Sequence, residues 1–141
     1  MNQVGRSVEW ETVAFKQENS RMERKIDFET LCPVGLDNFS SDVLGEVRPV
    51  LLLCLSKDAS LEAQISEAEK VHQAYWRSLK TCLLKEDFLG AFMERYRVRG
   101  TPTFLIFSNG EERQRLLGKS SYQDLQQFIV QTLPGLVPDI S

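Results

Sequence analysis

The sequence predicts an α/β fold: a three-layer α/β/α sandwich around a mixed sheet of four to five strands, ending in an antiparallel hairpin. Three observations carry this. "PVLLLCL", residues 49–55, is an unbroken apolar run of strand length, the pattern of a strand covered on both faces and central in its sheet. From Leu61 to about Ser78 the chain sets Ile65, Ala68, Val71 and Tyr75, with Leu79 just beyond, at intervals of three and four, one stripe of an amphipathic helix. "TFLIF" and "RQRLLG" flank "SNGEE", and Asn-Gly between two strand-like runs is the strongest short hairpin signal.

The remaining elements follow in order. Ser56, Asp58 and Ser60 compete to cap the helix that opens at Leu61. "LKTCLL", residues 79–84, is the next strand, and "EDFLGAFMERY", residues 86–96, is a short helix with Phe88, Phe92 and Met93 inward. A strand, a helix and a strand in succession imply a right-handed crossover. Ser121 and Asp124 form a capping box for a last helix whose stripe is Leu125, Phe128, Ile129 and Leu133, and Pro134-Gly135 stops it. Residues 1–33 read as an N-terminal extension. Within it "RMERKIDFETL" sets Met22, Ile26 and Phe28 on one face of a strand, while "VEWETVAF" suits strand or helix equally. The domain proper is 34–134, and 135–141 is a C-terminal tail.

A chain of 141 residues is long enough for one domain with a real core. A net charge of -3 leaves no electrostatic footprint for nucleic acid, and Arg95, Arg97, Arg99, Arg113 and Arg115 read first as solvated strand and loop positions. The first fifteen residues lack a basic stretch followed by an apolar one, and the run Val50 to Leu55 is too short to cross a bilayer, so a cytoplasmic protein with no membrane partner is expected. The three cysteines, Cys32, Cys54 and Cys82, contain no C-x-x-C pair, which argues against a disulfide framework or a zinc site. His72 is the single histidine and reads as a solvated position away from the apolar stripe, so no metal or cofactor is expected.

The order strand, helix, strand, helix, Gly-Thr-Pro, Asn-Gly hairpin, glycine, helix resembles the thioredoxin family. The residues that carry the resemblance are "DVLGEVRPVLLLCL", "YRVRGTPTFLIFSNGEERQRLLG" and "DLQQFIVQTL", together covering roughly residues 36–133. The resemblance implies a thioredoxin-like fold in which Pro102 is a cis-proline lying beside the site where the family carries its redox cysteines.

Those cysteines are missing. Thioredoxin chemistry needs two thiols at the amino end of the helix after the central strand, where the helix dipole favours a thiolate and a second thiol resolves the mixed disulfide. The four motif positions fall on Ala59, Ser60, Leu61 and Glu62, and Leu53 stands where the family buries an acid. Oxygen cannot replace sulfur in disulfide exchange. Cys54 and Cys82 lie inside apolar strand runs and read as packing, whereas Cys32, before Pro33 in an expected loop, is the candidate reactive thiol but has no resolving partner visible in sequence.

The expectation is a redox-inactive thioredoxin-like domain that binds another protein or an extended peptide segment, as a chaperone-like, assembly or scaffold module. Its peptide-binding residues would be Gly100, Thr101 and Pro102 on one lip and Ala59, Ser60 and Leu61 on the other, with Arg97 and Arg99 as an electrostatic rim favouring acidic segments. The alternative is an enzyme, either a single-thiol oxidoreductase using Cys32 or a glutathione-type transferase holding an anion at the helix amino terminus near Ser60.

Overall fold

The computed structural model describes residues 31–139; the strand reading of 22–30 and the whole of "VEWETVAF" lie outside them. The described chain is an α/β unit with strands β1 (Cys32–Val34), β2 (Val50–Cys54), β3 (Lys80–Leu84), β4 (Thr103–Ser108) and β5 (Glu111–Leu117), and helices α1 (Leu61–Tyr75), α2 (Glu86–Tyr96) and α3 (Tyr122–Thr132). A single π-helical turn, Ser40–Leu44, precedes β2 and was not apparent from periodicity.

The sheet order is β1-β3-β2-β4-β5. β1 and β2 run parallel to β3 on either side of it, and β4 runs antiparallel to both β2 and β5. All five residues of β2 are buried, because this strand has a neighbour at each edge and a core on each face. Its pleat divides the run: Leu51 and Leu53 point with Leu55 into one core, and Val50, Leu52 and Cys54 point into the other.

The first core packs Ala68, Val71 and Tyr75 of α1 and Leu125, Phe128 and Ile129 of α3 against the sheet. The second packs Phe88 and Phe92 of α2 with Phe39 and Val43 from around the π-helical turn. Helices therefore cover both faces. In the second core the Phe39 ring meets Phe88, Phe92, Tyr96 and Phe107 at centroid separations of 5.9, 5.5, 5.8 and 6.0 Å, mostly edge-on.

Local signals explain the boundaries. Asn109 and Gly110 take φ of 55° and 80°, the two left-handed residues a type I′ hairpin needs. Pairing shifts register between Ile106 and Phe107, so Arg113 is the extra residue of a bulge in β5. The Ser121 hydroxyl accepts from the Asp124 N–H while the Asp124 carboxylate accepts from the Ser121 N–H, so α3 starts in a complete capping box.

Two readings are corrected. α1 ends at Tyr75, three residues short of Ser78, where the Tyr75 carbonyl accepts from both Ser78 and Leu79 N–H groups. Cys32 and Pro33 belong to β1 rather than to a loop or an extension, because the parallel edge of β3 takes them up. The segment after Gly135 is docked: Leu136 packs on the first core, the Asp139 N–H donates to the Ala74 carbonyl, and the Asp139 carboxylate accepts from the Arg77 N–H at 2.9 Å.

Truncating Phe92 removes the ring that stacks on Tyr96 at 4.5 Å and leaves a cavity among three other aromatics. Phe92→Ala is expected to lower unfolding free energy by about 3–5 kcal/mol, read from urea denaturation.

Candidate functional site

The carboxyl end of β2, the amino end of α1 and the approach to β4 meet at one end of the sheet. The Thr101–Pro102 peptide bond is cis, and the β2–β4 ladder begins only after it, at the pair Cys54↔Thr103. The short loop Gly100 to Pro102 is held from several sides. The hydroxyls of Ser56 and Thr101 share a hydrogen bond of 2.5 Å, tying the exit of β2 to the loop. Gly118, at φ 102°, donates its N–H to the Pro102 carbonyl at 2.8 Å, and the Thr103 hydroxyl donates to the Gly100 carbonyl at 2.6 Å. A side chain at Gly118 would be strained in that left-handed conformation.

The amino-terminal half of α1 is equally fixed. Gln64, buried on α1, donates from Nε2 to the Ser120 carbonyl at 3.1 Å and accepts the Ser120 N–H at 2.9 Å. This amide pair clamps α1 to the segment that follows Gly118. Glu67 adds a second tie by accepting the Tyr122 N–H at 2.6 Å. None of the three expected capping side chains caps α1 in the usual way. Ser60 makes no side-chain cap bond, and the Asp58 carboxylate accepts from both the N–H and the hydroxyl of Ser60, which holds Asp58 below its ordinary carboxylate value.

The structure thus brings Ser56, on the β2–α1 connection that also carries Ala59, Ser60 and Leu61, into contact with Thr101. Ala59 is exposed, Ser60 and Leu61 are half-buried, and Leu61 leans on the first core. Gly100, Thr101 and Pro102 are half-buried. Among the described residues the Thr101 hydroxyl is engaged, and its main-chain N–H and carbonyl take no partner.

Arg97 and Arg99 are exposed; Arg97 is the left-handed residue that ends α2. Arg115 belongs elsewhere. Its guanidinium holds Glu112 through two bonds of 2.6 and 2.7 Å and donates to the Tyr96 and Arg97 carbonyls, placing a cation at the negative end of α2. The bond to Glu112 keeps Arg115 above its ordinary value.

Sequence reasoning took Ser56 for a helix cap and Gly118 for a position in the element order, and it missed Gln64 altogether. Gln64 had a signal, since 64, 68, 71 and 75 follow helical spacing better than a stripe begun at Ile65. A polar residue on an apolar stripe calls for a buried partner.

The cysteines divide sharply. Cys54 is fully buried and its thiol is pushed up to about 12 by that burial. Cys82, also fully buried, is raised well above the ordinary thiol value, first by its hydrogen bond with Cys32 and then by burial. Cys32, half-buried, lies below it, because the bond with Cys82 outweighs burial and the Lys80 charge adds to it. His72 is half-buried rather than solvated. Among the described residues no three His, Cys, Asp or Glu side chains group as a metal site requires, and no helix is long and apolar enough to cross a membrane.

No family model matches the chain, and no curated protein matches it.

Two outcomes are expected here. Gln64→Ala should cost about 2 kcal/mol or more, since it leaves a buried N–H and carbonyl of Ser120 without partners, measurable by thermal and urea unfolding. Near neutral pH iodoacetamide should alkylate Cys32 first, with Cys54 and Cys82 labelled only after denaturant is added, checked by peptide mapping. Because the Cys32 shift is downward, its labelling rate should reach half-maximum below the pH of an ordinary thiol.

Proposed function

We propose that this chain is a thioredoxin-like domain that binds an extended segment of another protein between the Gly100–Pro102 loop and the start of α1. It acts as a chaperone-like or assembly module and performs no disulfide exchange in that groove. The observation that carries this reading is the loop itself: pinned by Ser56 and Gly118, with the Thr101 main chain outside the sheet ladder and without a partner among the described residues.

An extended peptide laid along Thr101 would gain main-chain hydrogen bonds in the manner of strand addition. Because both lips are tied to the body, by Gln64 to Ser120 on one side and by Ser56 to Thr101 on the other, little ordering cost falls on binding. The residues at the start of α1 support a binding role over chemistry. Ala59, Ser60, Leu61 and Glu62 offer no thiol, and Leu53, fully buried, offers no proton relay. The exposed Arg97 and Arg99 follow α2 and lead into the loop, and they bias the groove toward acidic segments.

Fluorescence anisotropy with a panel of labelled, extended peptides tests this. Acidic peptides should bind most tightly. The Arg97→Ala/Arg99→Ala double variant should weaken them several-fold, at about 0.2–1 kcal/mol for each exposed pair, and reduce the salt dependence. Ser56→Ala, which frees the Thr101 hydroxyl and loosens the loop, should weaken acidic and neutral peptides alike. A panel that binds nowhere, or binds equally well to all three proteins, contradicts the reading.

A further inference from the structure

Away from the groove, the pairing of β1 with β3 brings two thiols together. Cys32 and Cys82 are Cα partners in parallel register, so their side chains leave the sheet on the same face. That face is the one covered by α2: Cys82 is fully buried within its core, and Cys32, half-buried, packs against it. Neighbouring strands lie about 4.8 Å apart, inside the range of roughly 4.4–6.8 Å between Cα atoms that a disulfide spans.

A cation is built in beside them. Lys80, two residues before Cys82 on the same face of β3, has its side chain only 15% exposed. Its Nζ donates to the Asp42 carbonyl at 2.9 Å and to Glu46 Oε1 at 3.3 Å, and lies 3.7 Å from Asp42 Oδ1. Arg48 holds the other Glu46 oxygen at 2.8 Å, so the acid is fixed from both sides. Burial lowers Lys80, but the charges of Cys32, Cys82 and Asp42 together with the Glu46 bond outweigh it, and the ammonium stays protonated next to the thiols.

We propose that Cys32 and Cys82 are a reactive dithiol that reduces a hydroperoxide, Cys32 as the attacking thiolate and Cys82 as the resolving thiol. The site is independent of the peptide groove. In the first step the Cys32 thiolate attacks the outer peroxide oxygen. The O–O bond breaks, an S–O bond forms, and the departing alkoxide or hydroxide takes a proton and leaves as alcohol or water. In the second step the Cys82 sulfur attacks the Cys32 sulfenic acid. An S–S bond forms, the S–O bond breaks, and the leaving hydroxyl takes the Cys82 proton and departs as one water molecule. Two equivalents of a small-molecule thiol then reduce the bridge and depart as their own disulfide.

The arrangement suits these roles. Among the described residues the half-buried partner sits on the short edge strand, and its thiol is the one shifted toward the thiolate. The buried partner is the one held protonated, so Cys32 and not Cys82 meets the oxidant as thiolate, and Cys82 gives up its proton when it attacks the sulfenic acid.

The test uses the reduced, full-length protein and equimolar hydrogen peroxide, followed by intact mass and peptide mapping. The expected product has lost two hydrogens, contains a Cys32–Cys82 linked peptide and retains a free Cys54. Peroxide consumption should fall at least about tenfold in Cys32→Ser, because the two thiols that remain are buried and shifted away from the thiolate. In Cys82→Ala the Cys32 sulfenic acid should persist and be captured by dimedone. A bridge between two copies, oxidation of Cys54 at a comparable rate, or a Cys32 sulfinic acid beside a reduced Cys82 in the parent protein would overturn the proposal.

Discussion

Everything in this molecule is referred to β2. It is fully buried, hydrogen-bonded to a parallel neighbour on one side and an antiparallel one on the other, and its alternating side chains seed both cores. A strand in that position cannot slip by one residue without exchanging Leu51 and Leu53 for Leu52 and Cys54 between the two faces. Its register therefore fixes where α1 and α3 pack, where α2 packs, and where the chain emerges at Ser56.

The arrangement around Thr101 follows from that exit. Because Cys54 pairs with Thr103, the residues just beyond each strand end, Ser56 and Thr101, come within a hydrogen bond of one another. The Gln64 clamp on Ser120 and the Gly118 bond to Pro102 then connect α1, the end of β5 and the loop. Few of these ties are strong alone, yet they share a small region and act together. The other end of the sheet order holds a different cluster, in which β1 adds Cys32 to a buried thiol and a protected lysine.

Much of the architecture could be read from local pattern. The apolar run at 49–55, the α2 segment 86–96, the Asn-Gly hairpin and the Ser121/Asp124 box are signals contained within a few residues, and each lies where its element forms, with β2 taking up Val50–Cys54 of the first run. What could not be read depends on contacts distant in sequence. β1 has three residues and no periodicity, and only its pairing with β3 makes it a strand. For the same reason a cysteine with no partner nearby in sequence stands beside one fifty residues away. Gln64 and Ser120 are separated by 56 positions, and Arg115 reads as a surface charge until the end of α2 is placed against it.

The central claim is that the end of the sheet around Thr101 is a preformed site for extended peptide. An amide-resolved NMR titration with an acidic peptide addresses it most directly. The account predicts shifts concentrated at Gly100, Thr101, Thr103, Ser60 and Leu61, with Cys32 and the β1 edge unmoved. Shifts centred on the exposed face of β5 or on α3, with Thr101 unchanged at saturation, would contradict it.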